Sequence, residues 1–570
     1  MKTKWGENLD KNNILPEYPR PQMVRDSYLN LNGEWSYAIT KKDEKPAAFE
    51  GTILVPFSPE SELSGVNRSL KPDEWLWYER TLTLPEGFNK GRVLLHFGAV
   101  DQTACVYVNG SELCCHVGGY TPFSVDITDQ LADDNVITVK VQDLSDTSHH
   151  SRGKQKTKRG GIWYTAQSGI WQTVWLESVP EVYIKALRIT PQYDLSAVDI
   201  LVVSDTDEDG CITLVNGKCY AIHSNIPQRI PMPDFEAWSP ENPRLYTFEA
   251  QIGDDTVSSY FGMRKFSVEA DEQGVKRLFL NGRPYFHNGL LDQGYYPDGI
   301  LTPPSDEAMI CDIETMKKCG FNMLRKHIKQ EPLRWYYHCD RLGMLVWQDM
   351  INGGEEYKFT TISVPLVTGR HKKDSRYAKF GRKNAEGREQ YYRELDELVD
   401  SLYNCVSIAM WVPFNEGWGQ FDAKEAVRRI LEKDTTRTID HASGWHDQFI
   451  GDIKSLHVYF KPYKFRKDKL GRAVVLSEFG GYNCRIDGHA YNSKDFGYKK
   501  SSGPEELLQL YRELYEQQII PAKAKGLCAT VYTQVTDVED EVNGLLTYDR
   551  AVEKLPAEEL RKLNEQLNDR

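Results

Sequence analysis

The chain has 570 residues and a mass of 65.5 kDa, several times the usual size of one domain, so its length predicts about three domains and excludes a small stapled module. Apolar residues make up 40% of the chain and charged residues 27%, which excludes bulk disorder. A formal charge of −13 disfavours nucleic acid or an anionic membrane as the main partner and favours a neutral or small substrate.

The targeting signals and the cysteines indicate a compartment. No segment approaches the roughly 18 consecutive apolar residues of a membrane span, and no apolar stretch follows the basic N-terminal residues. We therefore expect no membrane partner, no Sec-type export of the chain as written, and a cytoplasmic location. The 11 cysteines are odd in number and form no C-x-x-C spacing, so they are expected to be reduced, mostly buried thiols.

The first half of the chain is rich in predicted strands. From about residue 29 to residue 180, short β-branched and aromatic segments alternate with turn signals, a pattern typical of an all-β sandwich. Within it, Asn109–Gly110 directly follows a strand and predicts a two-residue hairpin turn. A second β-rich block follows and has the length of an immunoglobulin-like sandwich. We place the three domains at residues 1–180, 181–270 and 271–570.

The last domain has a different pattern, in which short apolar strands alternate with amphipathic helices from residue 279 onward. Eight such strands predict a (β/α)8 barrel. The strands are expected at residues 285–291, 323–327, 344–349, 407–414, 438–441, 455–460, 473–479 and 527–533. Helices are expected at residues 306–319, 388–403, 423–433 and 504–518. The connections after strands five and six are too short for full helices, so either the barrel is irregular there or the fifth strand is misplaced.

Two carboxylates stand where such a barrel carries its chemistry. Glu416 follows strand four and Glu478 closes strand seven, and the C-terminal ends of the strands form the mouth at which these barrels hold their active sites. A pair of carboxylates at one mouth is what cleavage of a glycosidic bond needs. The alternative is that each glutamate caps a helix or forms a surface ion pair, and neither Asn-Glu nor Ser-Glu is specific alone. The shared position in one eight-strand pattern favours catalysis.

Several separate segments resemble glycoside hydrolase family 2, which contains β-galactosidases, β-glucuronidases and β-mannosidases. The resemblance covers almost the whole chain and implies a jelly-roll-like sugar-binding β-sandwich, an immunoglobulin-like β-sandwich and a catalytic (β/α)8 barrel. The segments that carry it are Leu31-Asn32-Gly33-Glu34-Trp35, Trp77-Tyr78-Glu79-Arg80, Gly169-Ile170-Trp171, Trp238-Ser239-Pro240-Glu241-Asn242-Pro243, Phe261-Gly262-Met263-Arg264, Asn415-Glu416 and Ser477-Glu478-Phe479-Gly480.

The resemblance also assigns roles. It makes Glu416 the general acid/base and Glu478 the nucleophile of a retaining double displacement. It implies that Asn415 binds the sugar 2-hydroxyl and that Tyr459 supports the nucleophile. Further candidate substrate-binding residues, each of which could equally be a satisfied polar or packing residue of the mouth, are His457, Arg325, His327, Asp349, Trp445, Asp292 and Gln534. Candidates for stacking on sugar rings are Trp418, Trp445 and Tyr295.

The sugar stays open at this point. The histidine that β-galactosidases carry after strand one is missing, and the Asn-x-Lys motif through which glucuronidases bind the uronate carboxylate is absent at Asn543-Gly544-Leu545. The main expectation is an exo-acting, β-galactosidase-like enzyme for terminal β-linked sugars. The alternatives are a β-mannosidase or a hydrolase of acidic sugars (uronides) on the same machinery, and, from another class, a noncatalytic carbohydrate-binding protein.

Two basic runs stand out in this acidic chain. The loop from Arg370 to Lys383 holds seven cations, and either forms a solvated surface or leans over the barrel mouth and attracts an anionic group such as a uronate or sulfate. The run from Arg152 to Arg159 has no predicted role.

Motifs for metals and cofactors are missing. No HExxH spacing, phosphate loop or dinucleotide fingerprint is present, so no metal or cofactor is expected to be required, and an activating cation stays open. The expected partner is an oligosaccharide or glycoside substrate. The resemblance leaves a homo-oligomer open.

Overall fold

The computed structural model describes residues 1–568, which form two β-sandwiches and a parallel barrel. A short helix, Lys4–Glu7, precedes the first sandwich. The six-stranded sheet of that sandwich has the spatial order Gly51–Val55, Gly33–Thr40, Trp75–Leu82, Asn135–Gln142, Thr103–Val108 and Ser111–Val117. The four-stranded sheet has the order Tyr28–Asn30, Val174–Val179, Arg92–Phe97 and Phe123–Asp126. Short pairs join Val100–Asp101 to Gly169–Ile170 and Gln155–Lys156 to Tyr164–Thr165.

The core of this sandwich follows from strand alternation. Inward-facing side chains such as Trp35, Tyr78 and Phe97 are almost completely buried between the two sheets. The predicted hairpin is confirmed, because Asn109 and Gly110 both have positive φ angles, 51° and 82°, and join two antiparallel strands.

The expectation that all cysteines are reduced is wrong, since Cys105 and Cys115 form a disulfide. Symmetric pairing around the Asn109–Gly110 turn would bring Cys114 opposite Cys105. A register shift near Tyr107 inserts one extra residue in the second strand and brings Cys115 opposite Cys105 instead. The thiol argument for a cytoplasmic location therefore no longer applies.

The second sandwich has two smaller antiparallel sheets. One has the order Ala186–Gln192, Ala197–Val203 and Gln228–Pro231, and the other has the order Cys219–His223, Asp209–Leu214, Tyr246–Ile252 and Asp255–Phe261. A three-stranded sheet of Phe266–Ala270, Lys276–Leu280 and Arg283–Pro284 follows and contributes apolar side chains to the core at the base of the barrel. The predicted boundary at residue 270 falls inside this sheet, and the domain boundaries themselves stay predictions.

The eight predicted barrel strands all exist and run parallel. In chain order they are His287–Asp292, Met323–Lys326, Leu345–Asp349, Ile408–Val412, Thr438–Ile439, Ile453–Val458, Ala473–Gly480 and Leu527–Thr533. Six of them consist entirely of buried residues, whereas the fifth and sixth contain partly exposed ones. The seventh strand, for example, has all eight residues buried, which explains its nearly continuous apolar sequence. The fold class predicted from the sequence, two sandwiches and a barrel, is confirmed.

Helices surround the barrel. They are Asp306–Lys318, Leu333–Leu342, Phe359–Ile362, Val364–Thr368, Ala385–Leu402, Ala423–Lys433, Pro504–Leu514, Ile520–Lys525 and Ala557–Asn568. The helix predicted at residues 388–403 begins three residues earlier, because the Asn384 side chain accepts a hydrogen bond from the Gly387 N–H and caps it. The longest helices that were not predicted are Leu333–Leu342 and Ala557–Asn568.

The irregular part of the barrel lies where the sequence predicts it. The fifth strand has only two residues, and the sheet order begins at this strand and ends at the sixth. Within residues 440–452 and 459–472 the described chain has no helix. No helix within residues 1–568 is both long and apolar enough to cross a lipid bilayer.

Candidate active site

Glu416 and Glu478 meet at the barrel mouth, as the strand pattern predicts. Glu416 lies four residues beyond the fourth strand, and Glu478 lies within the seventh. Both are buried, with 9% and 4% of their surface exposed. Three atoms lie within 4.8 Å of one another: a carboxylate oxygen of Glu416, a carboxylate oxygen of Glu478 and a ring nitrogen of His457. The two carboxylates can therefore reach the same small group of substrate atoms.

A tight turn positions Glu416. The backbone of Glu416 has a positive φ of 52°, which is unusual for a residue other than glycine or asparagine. Gly417 follows with a φ of 72°. The Glu416 N–H donates to the Ser443 carbonyl at 3.0 Å, which ties this turn to the loop after strand five. Such sparsely populated conformations cluster at functional sites, where surrounding contacts hold them.

The surroundings of Glu416 favour a protonated carboxyl group. Burial raises its pKa to about 7, while the positive charges of Lys154 and Arg325 lower it and the negative charge of Glu541 raises it. A carboxyl group with a pKa near 7 holds a proton at neutral pH and can donate it, which is the requirement for a general acid.

Glu478 has a different set of neighbours. Tyr459 Oη donates to Glu478 Oε2 at 2.5 Å, and Arg325 Nη1 donates to Glu478 Oε1 at 3.2 Å. Burial and the nearby charge of Glu416 raise the pKa of Glu478 above its usual range, and Arg325 and the Tyr459 hydrogen bond offset part of this rise. Donors that bind both oxygens favour the ionised form, which is the form that can attack a carbon atom.

Arg325 links three of the predicted residues. Its fully buried guanidinium forms a forked pair with Asp349, with distances of 2.9 and 3.0 Å. The same group donates to Asn415 Oδ1 at 2.9 Å and to Glu478. Forked arginine–carboxylate pairs fix orientation as well as charge, so Arg325 holds Asn415 and Glu478 in one rigid set.

His457 lies beside both glutamates. Its Nδ1 is 2.8 Å from Glu416 Oε1 and 3.5 Å from Glu478 Oε2, and its Nε2 is 3.0 Å from Ser443 Oγ. Burial lowers the pKa of His457 to about 4, so the imidazole is neutral at neutral pH. A neutral imidazole carries one N–H and one lone pair, and it orients Glu416 without adding a charge.

The buried polar atoms that have no protein partner within residues 1–568 include two N–H groups near the catalytic pair, Asn415 Nδ2 and Trp445 Nε1. Asn415 is anchored through its oxygen, and the Trp445 ring packs edge-on against His457 with the ring centres 5.5 Å apart. Buried donors are normally satisfied. These two N–H groups are therefore available for an external acceptor, and the predicted substrate-binding roles of both residues stay predictions.

Three further predicted ligands lie at the mouth but are bonded within the protein. His327 Nδ1 is 2.8 Å from Asp349, which also binds Arg325. Asp292 accepts from Lys326 Nζ at 2.8 Å and from a backbone N–H. Gln534 is bonded at 2.8 Å through both its oxygen and its nitrogen to neighbouring side chains. Their role as direct substrate ligands stays a prediction.

Two of the three predicted stacking residues contact aromatic side chains of the first sandwich. Tyr295 packs edge-on against Tyr164 at 4.9 Å, and Trp418 lies 5.2 Å from Trp163. Another aromatic residue was missed: Tyr498, in the loop after strand seven, stacks on Tyr459 at 3.7 Å and 11°. Its loop has no periodicity, so no sequence signal marks it.

The basic loop from Arg370 to Lys383 does not behave as one cluster. Arg382 is buried and donates to the Gly419 carbonyl at 2.9 Å, and Lys372 donates to Thr361 Oγ1 at 2.9 Å. The remaining cations of the loop are exposed. The lysine whose charge acts on Glu416 is Lys154, from the other basic run, and this residue was missed as a site residue.

Two groups of side chains have the spacing of metal ligands within residues 1–568. One contains Cys105 and Cys115, which are oxidised and offer no thiolate. The other is Glu416, His457 and Glu478. A cation there would have to share the carboxylate oxygens that Arg325 and Tyr459 already bind, so this set fits acid–base chemistry better than metal binding.

Models of one protein family match all three domains of the chain. Residues 66–180 match the sugar binding domain of glycosyl hydrolases family 2, residues 201–264 match the model named Glycosyl hydrolases family 2, and residues 278–474 match its TIM barrel domain. The chain belongs to glycoside hydrolase family 2.

Curated members of family 2 are similar at moderate identity. A β-galactosidase of Thermoanaerobacter pseudethanolicus is 25% identical over 364 residues, 58% of this chain and 47% of that protein. A β-glucuronidase of Streptococcus agalactiae is 23% identical over 429 residues, 70% of this chain and 68% of that protein. The β-glucuronidase of Homo sapiens is 24% identical over 388 residues, 58% of either chain. The matched part spans 47% to 68% of the length of these three relatives.

Solved structures share the whole arrangement. A β-glucuronidase from an uncultured Clostridium sp. aligns with a TM-score of 0.73 and 19% identity over 96% of this chain and 99% of that chain. A family 2 β-galacturonidase from Eisenbergiella tayi, bound to galacturonate, aligns with a TM-score of 0.70 and 19% identity over 97% of this chain and 99% of that chain. At this identity the likeness shows a common three-domain fold.

Proposed function

We propose that the protein is a retaining glycoside hydrolase that removes a terminal β-linked uronic acid. The observation that carries the reaction type is the short separation of two buried carboxylates, with oxygens of Glu416 and Glu478 within 4.8 Å. Retaining enzymes hold their carboxyl groups about 5–5.5 Å apart, whereas inverting enzymes need about 6.5–9.5 Å to admit a water molecule.

The roles of the two residues follow from their surroundings. Tyr459 and Arg325 donate hydrogen bonds to Glu478, which attacks the anomeric carbon. The bond from this carbon to the aglycone oxygen breaks as Glu416 transfers its proton to that oxygen. In the second step, Glu416 removes a proton from water. The water oxygen then displaces Glu478 and releases the sugar with its original β configuration.

The substrate class is chosen from the relatives. β-Glucuronidases recur among them, and one aligned structure contains galacturonate. This favours the uronide alternative over the β-galactosidase-like reading that the sequence alone favoured. A β-galactosidase stays the second candidate because a relative of comparable identity has that name.

Initial rates on matched aryl glycosides test the proposal. Under this proposal, p-nitrophenyl β-glucuronide or β-galacturonide is cleaved faster than β-glucoside, β-galactoside and β-mannoside. Glu478→Gln should reduce this rate by on the order of 10³-fold or more. NMR of the first released sugar should show the β anomer. Release of the α anomer would refute retention, and faster cleavage of a neutral glycoside would refute the substrate class.

Activity in the Glu478→Gln protein equal to that of the parent would refute the assigned nucleophile. Binding of a sugar without any product over hours, in the parent protein, would instead support the noncatalytic alternative. Asp400→Asn is a matched control, because it makes the same kind of acid-to-amide change at a half-exposed helix residue outside the site.

A further inference from the structure

A loop of the first sandwich forms part of the barrel mouth. Arg152 N and Gly153 N both donate to the carbonyl of Asn352, just beyond strand three, at 2.9 and 3.1 Å. On the other side, Tyr164 Oη donates to Glu541 and Arg159 Nη1 donates to Asp540 at 2.9 Å. The second contact region lies beyond strand eight. The segment between these anchors is therefore fixed across the mouth.

Lys154 is on this loop and is buried, with 5% of its surface exposed. Its Nζ lies 5.4 Å from the ring centre of Tyr164 and 5.8 Å from that of Trp418. Trp418 is two residues beyond Glu416 and packs against His327. The charge of Lys154 lowers the pKa of both Glu416 and His327, so its ammonium group lies near these two residues.

Lys154 differs from the other buried lysines near the mouth in having no anionic partner. Lys326 pairs with Asp292, Lys329 with Glu331, and Lys554 with Asp537, each within 2.8 Å. Within residues 1–568, no carboxylate oxygen lies within 4.0 Å of Lys154 Nζ and no hydrogen bond from it is formed. Buried ammonium groups are normally paired, because removing a charge from water is costly.

We infer that Lys154 is the residue that recognises the carboxylate of a uronic acid, supplied to the barrel by the first sandwich domain. A uronate would give the ammonium group the anionic partner that the protein does not provide. A neutral sugar would leave the charge unpaired, so the same residue both favours the acid and disfavours the neutral analogue.

Lys154 also provides the cation that the barrel lacks after strand eight. After strand eight the chain has Asn543-Gly544-Leu545, without a lysine in the Asn-x-Lys position. The cation comes from a segment almost 400 residues earlier in the chain, held against Glu541 in that same loop by Tyr164. The inference rests on the proposed hydrolase function and specifies how its substrate is selected.

The test compares Lys154→Met with the parent on a pair of substrates that differ only at the sugar C6, p-nitrophenyl β-galacturonide and β-galactoside, and on the corresponding glucuronide and glucoside. Loss of one charge-assisted contact should reduce kcat/KM on the uronide by about 10- to 100-fold, mainly through KM. The neutral substrate should change by less than about threefold. Lys154→Arg should retain part of the uronide preference, because it keeps the charge.

Lys158→Met is the matched control, since it removes the same charge from an exposed residue of the same run. It should leave both rates unchanged. Equal losses on acidic and neutral substrates in Lys154→Met would overturn the inference, because they would assign Lys154 to the catalytic pair rather than to the carboxylate. An unchanged uronide rate would overturn it as well.

A second measurement separates this inference from the proposed function. If the parent hydrolyses no uronide, calorimetric titration of Glu478→Gln with galacturonate and with galactose still reports recognition of the carboxylate. Tighter binding of galacturonate that is lost on adding Lys154→Met supports the inference although the proposed substrate class has failed. Equal binding of both sugars, with or without Lys154→Met, refutes it.

Discussion

The hydrogen bond between Tyr459 and Glu478 gives a direct test of the assigned nucleophile. Tyr459 Oη donates to Glu478 Oε2 at 2.5 Å and also contacts Thr533 Oγ1 at 3.1 Å. Tyr459→Phe removes the hydroxyl group and keeps the ring that stacks on Tyr498. A hydrogen bond to a charged group contributes about 1.5–3 kcal/mol, so kcat/KM should fall by about 10- to 150-fold.

The pH dependence of this variant provides a second readout. The hydrogen bond favours the ionised carboxylate and lowers the pKa of Glu478, so its removal raises that pKa. The nucleophile must be ionised, and the acidic limb of the kcat/KM profile should therefore move to higher pH in Tyr459→Phe. The measurement is kcat/KM from pH 4 to 9 on the preferred aryl glycoside, over roughly the range in which carboxyl groups and imidazoles titrate.

Tyr463→Phe is the matched control. Its ring is also buried, but its hydroxyl has no hydrogen-bond partner within residues 1–568. This variant should retain the parent rate and the parent pH profile. If Tyr459→Phe changes kcat/KM by less than about threefold, or if its acidic limb does not move, the hydrogen bond is not part of the catalytic machinery and the assignment of Glu478 loses its main electrostatic support.

Three further outcomes are expected. The kcat/KM of the parent should fall as pH rises through about 7, because Glu416 must be protonated. In Glu416→Gln this fall at alkaline pH should disappear. The variant should lose less activity on aryl glycosides with acidic leaving groups than on those with basic ones. Arg325→Lys should reduce kcat/KM about 100-fold or more with an unchanged circular dichroism spectrum, since lysine cannot form the forked pair with Asp349. Arg25→Met, which leaves Asp255 unpaired between the sandwiches, should destabilise them by about 3–5 kcal/mol in urea titrations.

The catalytic pair could be found from the sequence because its signal is local. Glu416 follows the fourth strand by a few residues and Glu478 lies near the C-terminal end of the seventh, and the regular alternation of strands and helices makes both strand ends face the same way. No contact between distant segments needs to be known for that step. The same reasoning identified Arg325 and Asp349 as candidate site residues at strand ends, and the structure shows that they form an ion pair.

The disulfide could not be predicted in this way, because a shift of one residue in strand register decides which cysteine lies opposite Cys105. A regular hairpin around Asn109–Gly110 pairs Cys105 with Cys114, and only the bulge near Tyr107 brings Cys115 opposite Cys105. β-Bulges depend on the packing of the whole sheet, and the local sequence contains no signal for this one.

Lys154 was missed for a related reason. The basic run from residue 152 to residue 159 is visible in the sequence, but its position is set by contacts with residues such as Asn352 and Asp540, some 200 to 380 residues away in the chain. Sequence patterns report local structure well and the docking of one domain onto another poorly. The run with the larger number of cations, from Arg370 to Lys383, is mostly exposed.

The substrate expectation changed because β-glucuronidases recur among the relatives, and the position of Lys154 bears on the main argument against that change. The absence of an Asn-x-Lys motif after strand eight argued against a glucuronidase only if the barrel alone forms the site. A carboxylate is recognised by a positive charge at the right place, and the chain segment that carries the charge is immaterial to the interaction energy. Because Tyr164 and Arg159 fix the sandwich loop against Glu541 and Asp540, Lys154 occupies a defined position at the mouth. A motif missing from one domain therefore excludes a specificity only where no other domain reaches the site.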